Sequence, residues 1–344
     1  MRQILNTLYV MTPHSYLHLE NDTLRVDVER EKKMQVPLHH LGSVVCLGNI
    51  MVSPALMHRC AEDGISLALL DGNGRFKARL EGAVSGNILL RQAQHRQTGD
   101  AAFALNVSRA MIAGKLRNAR QVLLRGAREA ADEADAKALT AGATALRASV
   151  RNLPQAADLD SVRCIEGDAA KVYFSAMNGI VRRDARTHFA MDSRTRRPPR
   201  DRINALLSFL YSMLMNDCRS ALEIVGLDPQ LGFLHAVRPG RAALALDLME
   251  EFRAVMADRL VLTLINRGQI GASDFAEREG GAVLLEGDAR RAVVVAYQER
   301  KQEEITHPLL DTKMPIGLLP QIQACLLARH IRGETEAYLP FLAR

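Results

Sequence analysis

The feature that most limits the fold of this chain is a change of hydrophobic period near residues 85–95. Before it, short alternating or β-branched runs predict strands at 4–10, 15–20, 23–28 and 43–47. After it, apolar residues recur at helical spacing over 103–128, 132–153, 158–180, 201–225, 242–267 and 315–332. The sequence therefore predicts an α+β chain, with a small β-rich domain at 1–88 and a larger all-α domain at 89–344.

Local signals refine both parts. Ser53 can cap a helix that has Pro54 in its first turn and Gly64 at its end. The stretch 71–74 favours a hairpin turn, because Asn and Gly tolerate the positive φ angles that such turns require. Within the helical part, only 282–285 has a strand-like pattern, and the charged segment 289–305 follows it.

Composition indicates the kind of partner. The chain has 344 residues, 48% of them apolar, which is enough for two domains, and a net charge of +6. A basic balance favours a polyanion such as nucleic acid. The excess of arginine over lysine suits phosphate binding, although a GC-rich genome explains it equally well.

Cysteines and apolar runs indicate the compartment. The five cysteines form no CxxC pair and have apolar neighbours, so we expect buried thiols in a reducing cytosol. We find no credible signal peptide. The most apolar run, 203–215, is far shorter than the ~20 residues of a membrane span. These observations predict a cytoplasmic protein with no membrane segment.

Two basic segments are candidates for binding phosphate. Residues 182–202 contain eight arginines, which are Arg182, Arg183, Arg186, Arg194, Arg196, Arg197, Arg200 and Arg202. Prolines 198 and 199 oppose helix formation there, so the segment is expected to be an irregular arm. A second series recurs at helical spacing: Arg109, Lys115, Arg117, Arg120, Arg125 and Arg128. Each segment fits either a solvated surface or a DNA-contacting one.

A few acids and one histidine stand in apolar surroundings. On a helix, Glu166 shares a face with Tyr173, which can donate a hydrogen bond or stack on a base. His235 ends an apolar run, with Arg238 three residues later. Asp247 and Glu250 lie three apart on an apolar helix, where they would repel each other unless Arg253 or a divalent cation lay between them. Each residue taken alone also fits an ordinary salt-bridge or core role.

Together these residues predict a metal site. Two carboxylates and a neutral imidazole form a mixed oxygen and nitrogen set that suits Mg²⁺ or Mn²⁺, and such an ion assists phosphodiester chemistry. We therefore take Glu166, His235 and Glu250 as candidate ligands, with Asp247 and Tyr173 as further catalytic candidates. The sequence contains no Walker A loop, no GxSxG elbow, no HExxH and no GxGxxG after a strand. ATP hydrolysis, serine hydrolase chemistry and dinucleotide redox chemistry therefore have no support.

The ordered motifs resemble one family along the whole chain. They are Lys115-Leu116-Arg117-Asn118, Glu166-Gly167 with Ala170 and Tyr173-Phe174, Arg197-Pro198-Pro199-Arg200-Asp201 followed by residues 204–211, Gly232-Phe233-Leu234-His235, and Asp247-Leu248-Met249-Glu250. The chain resembles the CRISPR-associated spacer-acquisition integrase family, "Cas one". Gly226-Leu227-Asp228-Pro229 and His307-Pro308 are similar to its type I-C variant.

The resemblance implies a β-rich domain that mediates homodimerisation and a helical catalytic domain. It implies Glu166, His235 and Glu250 as ligands of Mg²⁺ or Mn²⁺, and a small partner protein, "Cas two", held between two dimers. The activity implied is the insertion of short prespacer DNA into the CRISPR array by attack of a 3′-hydroxyl, together with DNA cleavage. Glu251 and Ala254 depart from the family, which often has proline there.

The DNA contacts remain hypotheses at this point. We expect Arg182, Arg183, Arg196, Arg197 and Arg200 to contact the DNA backbone, and Arg238 to contact a phosphate. Two rival functions also remain open: a stand-alone structure-specific nuclease acting in DNA repair, and a non-enzymatic DNA-binding scaffold.

Overall fold

The computed structural model describes residues 7–72, 74, 76–80, 82 and 88–343. The chain divides into two compact units, residues 1–86 and 87–344. Strands dominate the first unit and helices the second. The predicted α+β class is therefore confirmed.

In its described residues, the first unit contains two four-stranded sheets and one α-helix. Its elements are β1 (Thr7–Val10), β2 (Ser15–Glu20), β3 (Thr23–Val28), β4 (Glu31–Pro37), β5 (Ser43–Leu47), β6 (Met51–Val52), α1 (Pro54–Asp63), β7 (Ser66–Leu70) and β8 (Phe76–Arg79). One sheet has the order β1-β5-β7-β8, and only β8 runs antiparallel to its neighbour. The other has the order β4-β3-β2-β6, and only the pair β2 and β6 is parallel.

Local sequence explains these elements. Apolar side chains that include Leu17, Leu24 and Leu56 form the core of the unit. The hydroxyl of Ser53 caps α1 by accepting the Leu56 N–H at 3.2 Å, and Gly64 ends it with a φ of +66°. The structure thus contains the predicted helix signals.

Two sequence predictions fall partly on residues outside the described ones. The first predicted strand, 4–10, is described from residue 7 onward, where it forms β1. In the predicted turn, Gly74 N–H donates to the Asp71 carbonyl at 2.9 Å, between the antiparallel strands β7 and β8. Asn73, the third residue of that turn, lies outside the described residues.

The second unit is helical, with two short hairpins. Its helices are α2 (Ile88–Gly99), α3 (Ala101–Glu129), α4 (Glu133–Asn152), α5 (Leu159–Met177), α6 (Arg183–Arg186), α7 (Arg202–Val225), α8 (Ala243–Met249), α9 (Arg259–Asn266), α10 (Gly287–Gln302) and α11 (Leu319–Ile331). The hairpins pair β9 (Phe275–Arg278) with β10 (Ala282–Leu285), and β11 (Glu304–His307) with β12 (Thr312–Pro315). The description all-α is therefore too strict. Among the described helices, none combines the length and the apolar character needed to span a membrane.

The stretch predicted as one helix over 242–267 is broken in its middle. Helix α8 ends at Met249, a π-helical segment occupies Arg253–Asp258, and α9 begins at Arg259. π-Helical turns are rare and often occur at functional sites. Glu250 lies at this break, immediately after the end of α8.

The cysteines differ in part from the prediction. Cys46, Cys60 and Cys218 are buried, and burial raises the pKa of the Cys46 thiol to about 12. Cys164 on α5 and Cys325 on α11 are exposed, so the expectation that all five are buried is wrong for these two. Apolar sequence neighbours do not show that a helical residue is buried, because a helix points adjacent residues in different directions.

Candidate metal centre

The carboxylate of Asp247 organises the loop that carries His235. Its Oδ2 accepts the backbone N–H groups of Phe233 at 2.7 Å and Leu234 at 3.0 Å, and its Oδ1 accepts that of His235 at 2.9 Å. Gly232 permits this approach, since a Cβ there would lie 2.7 Å from Asp247 Oδ2 and 2.8 Å from the backbone of Ala243. Asp247 is 0% exposed, so all of its charge is directed at this loop.

The same carboxylate orients the His235 ring. Nδ1 of the imidazole lies 2.6 Å from Asp247 Oδ1, and a carboxylate that already accepts three N–H groups makes Nδ1 the protonated nitrogen. Nε2 is then left with its lone pair, 3.9 Å from Glu250 Oε1. Arg163 on α5 fastens the loop by donating from Nε to the Leu234 carbonyl at 3.0 Å. Metal-binding histidines generally have such a carboxylate partner on one ring nitrogen, which fixes the ring and leaves the other nitrogen unprotonated.

The two glutamates meet at the ammonium of Lys115. Lys115 projects from α3, and Nζ contacts Glu166 Oε1 on α5 and lies 2.8 Å from Glu250 Oε2. Arg253 lies on the other side, with Nη2 3.0 Å from Glu250 Oε1. Three segments of chain therefore direct two carboxylates and two cations to one place.

Glu250 is held as a carboxylate. Burial alone would raise its pKa, but the charges of Arg253 and Lys115 hold the pKa of Glu250 well below its usual range. Its Oε2 is buried and contacts a cation, the ammonium of Lys115, at 2.8 Å. This oxygen therefore retains capacity to bind a cation.

The donor set fits a hard divalent ion by its chemistry. Glu166 and Glu250 supply carboxylate oxygens, and His235 supplies the unprotonated Nε2. Within the part of the chain that the structure describes, no three His, Cys, Asp or Glu side chains already lie close enough to hold a metal ion. The ammonium of Lys115 lies between the two carboxylates. Closure of the set around an ion therefore requires this ammonium to move.

A buried polar cluster lies behind Arg253. Its guanidinium is 4.8 Å from the centre of the Tyr211 ring. The hydroxyl groups of Tyr211 and Tyr173 both donate to Asp258, at 2.7 and 2.9 Å. Burial raises the pKa of Asp258 to about 6. The sequence suggested that the Tyr173 ring could stack on a base. Tyr173 is only 5% exposed, so its ring is not available for stacking, and the side chain supports the buried cluster instead.

The C-terminal tail, residues 338–343, packs against the back of this centre. The buried carboxyl of Glu251 accepts from the Tyr338 hydroxyl at 2.6 Å and from the Phe341 N–H at 2.7 Å. Asn118, one turn after Lys115 on α3, donates to the carbonyls of Glu251 at 2.8 Å and Phe341 at 2.9 Å. Burial raises the pKa of Glu251 to about 8. The tail thus ties α3 to the turn that carries Glu250.

Exposed arginines from two segments approach one another beside the His235 loop. Partial burial lowers the pKa of Arg241, and the nearby charges of Arg238, Arg197 and Arg196 lower it further. Asp247 is also close enough to act on Arg241 in the opposite direction. We call Arg196, Arg197, Arg238 and Arg241 the arginine cluster. Mutual repulsion of this kind is typical of a surface that binds an anion.

Comparison with known proteins decides the family. A family model described as CRISPR associated protein Cas1 matches residues 8–299. CRISPR-associated endonuclease Cas1 1 of Moorella thermoacetica is 54% identical over 344 residues, which is the whole of both chains. The chain belongs to the Cas1 family. The enzyme class predicted from the sequence, an endonuclease and integrase, is confirmed at the level of this family.

Solved structures share the fold of this Cas1-family chain. A chain of a Cas6-RT-Cas1–Cas2 complex superposes with a TM-score of 0.83 at 23% identity, covering 98% of this chain and 36% of that one. A casposase bound to integration product gives a TM-score of 0.82 at 19% identity, covering 97% of this chain and 92% of that one. At these identities, the likeness establishes the fold.

The predicted metal ligands lie near one another in the structure, together with one residue that was not predicted. The structure brings Glu166, His235 and Glu250 together, with Asp247 behind the histidine. The sequence places Lys115 in a basic series and in a family motif, but its position between the glutamates was missed. No local signal could reveal it, since the contact with Glu250 spans 135 residues.

The arginines also divide. Arg196, Arg197, Arg200 and Arg238 are exposed, and three of these belong to the arginine cluster. Arg182 and Arg183 are exposed as well, but they pair with Asp184 and Asp132. Two others of the same segment have structural partners: Arg186 pairs with Asp135 at 2.6 Å, and the half-buried Arg194 donates to Asn204 at 2.6 Å.

Proposed function

We propose that this Cas1-family chain inserts short DNA duplexes into a CRISPR array by metal-dependent transesterification. Attack by a 3′-hydroxyl joins the duplex to the array, and attack by water cuts DNA at the same centre. One observation carries the proposal: Glu166 and Glu250 meet within reach of a histidine whose Nε2 is left free by Asp247. A Mg²⁺ or Mn²⁺ ion is the cofactor that this donor set suits.

Glu166, Glu250 and Nε2 of His235 would hold the ion. When bound, it would neutralise charge that develops on phosphate oxygens and would favour ionisation of the attacking hydroxyl. The protein's own groups prepare this centre. Asp247 fixes the tautomer of His235, and Arg253 keeps Glu250 ionised despite its burial. The reaction exchanges one phosphodiester for another, so joining requires no ATP.

The arginine cluster would bind the DNA backbone next to this centre. Arg196, Arg197 and Arg238 are exposed, and their charges add to partial burial in lowering the pKa of Arg241. Phosphates would relieve this repulsion, and each neutralised phosphate contributes about 0.9 to the salt dependence of binding. We include Arg182, Arg183 and Arg200 as outer contacts along the same segment.

The partners follow from the family. We propose double-stranded DNA, a second copy of the chain bound through the β-rich domain at 1–88, and the small protein Cas2. Two fold neighbours, a Cas6-RT-Cas1–Cas2 complex and a casposase bound to integration product, support the Cas2 and DNA partners. We also propose a cytoplasmic location and membership of the type I-C variant, on the motifs 226–229 and 307–308.

A plasmid integration assay tests the proposal. A short duplex with free 3′-hydroxyls is mixed with the chain, Mn²⁺ and a plasmid that carries repeats, with and without Cas2. Glu166→Ala, His235→Ala and Glu250→Ala should each reduce joining by at least about 100-fold. Asp168→Ala is the matched control, because Asp168 lies two residues from Glu166 on the same helix but is exposed and pairs only with Lys171.

The outcome also separates the rival functions. Cleavage of branched DNA without joining would favour a repair nuclease. DNA binding that ignores both Mn²⁺ and all three alanine variants, with no cleavage or joining, would favour a scaffold. Full joining by the alanine variants would refute the assignment of the ligands.

A further inference from the structure

Lys115 has a position that the proposed function leaves unused. Its side chain is 12% exposed, yet its ammonium reaches two carboxylates on other segments, Glu166 and Glu250. Glu250 already has Arg253 as a partner at 3.0 Å, so its charge is balanced without the lysine. The four side chains together carry no net charge. Lys115 therefore acts as the local counter-ion of Glu166, held at the oxygens that a metal ion would use.

A divalent ion and this ammonium cannot share those oxygens. Both would contact Glu166 and Glu250, and like charges at contact distance repel strongly in a partly buried site. Metal binding must therefore move the ammonium. Lysine suits such a move, since it carries a compact charge at the end of a flexible four-carbon chain, whereas arginine presents a rigid planar group.

The proposed function brings an anion to the displaced ammonium, namely a phosphate of the DNA. A phosphate bound at the same ion lies within the reach of a side chain that began between the ion's two carboxylate ligands. Asn118, on the same helix one turn later, is bonded to the tail and to Glu251, which keeps α3 in place while the side chain moves. The only feature that changes is then the partner of the ammonium.

We propose that Lys115 is a catalytic residue that exchanges partners: it pairs with Glu166 and Glu250 before metal binds, and with a phosphate oxygen of the DNA afterwards. The inference rests on the proposed function and deepens it. The ammonium opposes metal binding in the absence of DNA and supports it once a phosphate is present. Metal and DNA consequently bind cooperatively, and each strengthens the binding of the other by the same factor.

Titration of the full-length chain with Mn²⁺, followed by electron paramagnetic resonance with and without a 3′-hydroxyl duplex, tests this coupling. Without DNA, Lys115→Met should bind Mn²⁺ about tenfold more tightly than the parent, because the competing charge is gone. The duplex should strengthen Mn²⁺ binding by the parent about tenfold more than it does by the variant, in which only the direct attraction between the ion and the phosphate remains. Strand joining by the variant should nevertheless fall about 100-fold.

Two further variants secure the interpretation. Lys171→Met removes an exposed lysine of α5 that pairs only with Asp168, and it should behave as the parent in every measurement. Lys115→Arg keeps the charge and should retain parent-like Mn²⁺ affinity without DNA. If Lys115→Met unfolds, Lys115→Gln replaces it, since an amide of similar length can still hydrogen-bond both glutamates.

The results distinguish this inference from the proposed function. A parent chain that binds Mn²⁺ and joins DNA, with a neutral Lys115 variant that binds Mn²⁺ no more tightly without DNA, overturns the inference alone. A parent chain that neither binds Mn²⁺ nor joins DNA overturns both. Tighter Mn²⁺ binding by the neutral variant, together with a smaller response to the duplex than the parent shows, supports the exchange of partners, and a merely structural ion pair would not produce it.

Discussion

The substitution Asp247→Asn tests the loop that orients His235. It preserves the shape of the side chain but removes its charge and one of its two acceptor oxygens. In the native protein the two oxygens face four donors: the N–H groups of Phe233, Leu234 and His235, and Nδ1 of the His235 ring. An amide can accept at one oxygen only, so two buried donors lose their acceptor whichever way it is turned.

The magnitude follows from this count. Each buried donor left without an acceptor costs about 1–3 kcal/mol, so the free energy of unfolding of the helical unit should fall by about 2–6 kcal/mol. The imidazole also loses the carboxylate that fixes its tautomer, and Mn²⁺ affinity should fall about 10–100-fold. Both effects arise at a side chain that is 0% exposed, where water cannot substitute for the lost acceptor.

Urea denaturation and calorimetric Mn²⁺ titration measure the two effects separately. Asp168→Asn, an exposed aspartate on α5, serves as the control and should change neither quantity. Unchanged unfolding and unchanged Mn²⁺ affinity in Asp247→Asn would refute the view that this carboxylate organises the loop.

Three other predictions address the surroundings of the centre. Gly232→Ala would place a Cβ 2.7 Å from Asp247 Oδ2 and 2.8 Å from the backbone of Ala243. Denaturation should therefore show that the free energy of unfolding falls by about 1–3 kcal/mol. An unchanged free energy of unfolding would contradict the close approach of Asp247 to this glycine. Burial raises the pKa of Asp258 from 3.8 to about 6, so the unfolded chain releases this proton first as pH rises. The contribution of Asp258 to the free energy of unfolding is thus fully present below pH ~4, and about 3 kcal/mol of it is lost as pH rises through ~6. Denaturation curves of Asp258→Asn should lack this pH dependence, and an equal pH dependence in the variant would contradict the assignment. Arg238→Ala and Arg241→Ala should each lower the salt dependence of DNA binding by about 1, measured by fluorescence anisotropy across a salt series, and an unchanged slope would exclude that arginine from phosphate contact.

Local sequence patterns predicted the elements whose causes are local. The caps at Ser53 and Gly64 and the long helices α3, α4, α5 and α7 follow from side chains a few residues apart. Helix α10 was missed because its charged surface hides the apolar spacing, and the break after Met249 was missed because the apolar pattern continues through it. Helix α10 and the break after Met249 both depend on packing against other elements, which overrides local helix propensity.

The sequence singled out the candidate ligands, which the structure places near one another, but not the electrostatics of the site. The carboxylates and the histidine stood out against apolar neighbours, and the order of the family motifs made them specific. Arg253 was considered as a partner of the helix carboxylates, and it does pair with Glu250 at 3.0 Å, whereas Lys115 appeared in a basic series and in a family motif with no partner assigned. Their roles depend on which distant segment of the chain each side chain contacts, and a single sequence does not show which segments lie together.

The C-terminal tail has a consequence for the order in which the protein folds. Phe341 bonds to Asn118 across 223 positions of sequence and to Glu251 across 90. Contacts between such distant positions close long loops, and their entropic cost is recovered only when much of the chain is already in place. The turn that carries Glu250 is therefore expected to become rigid late in folding. A chain that lacks these tail contacts would have its other helices formed while the position of Glu250 was still unset.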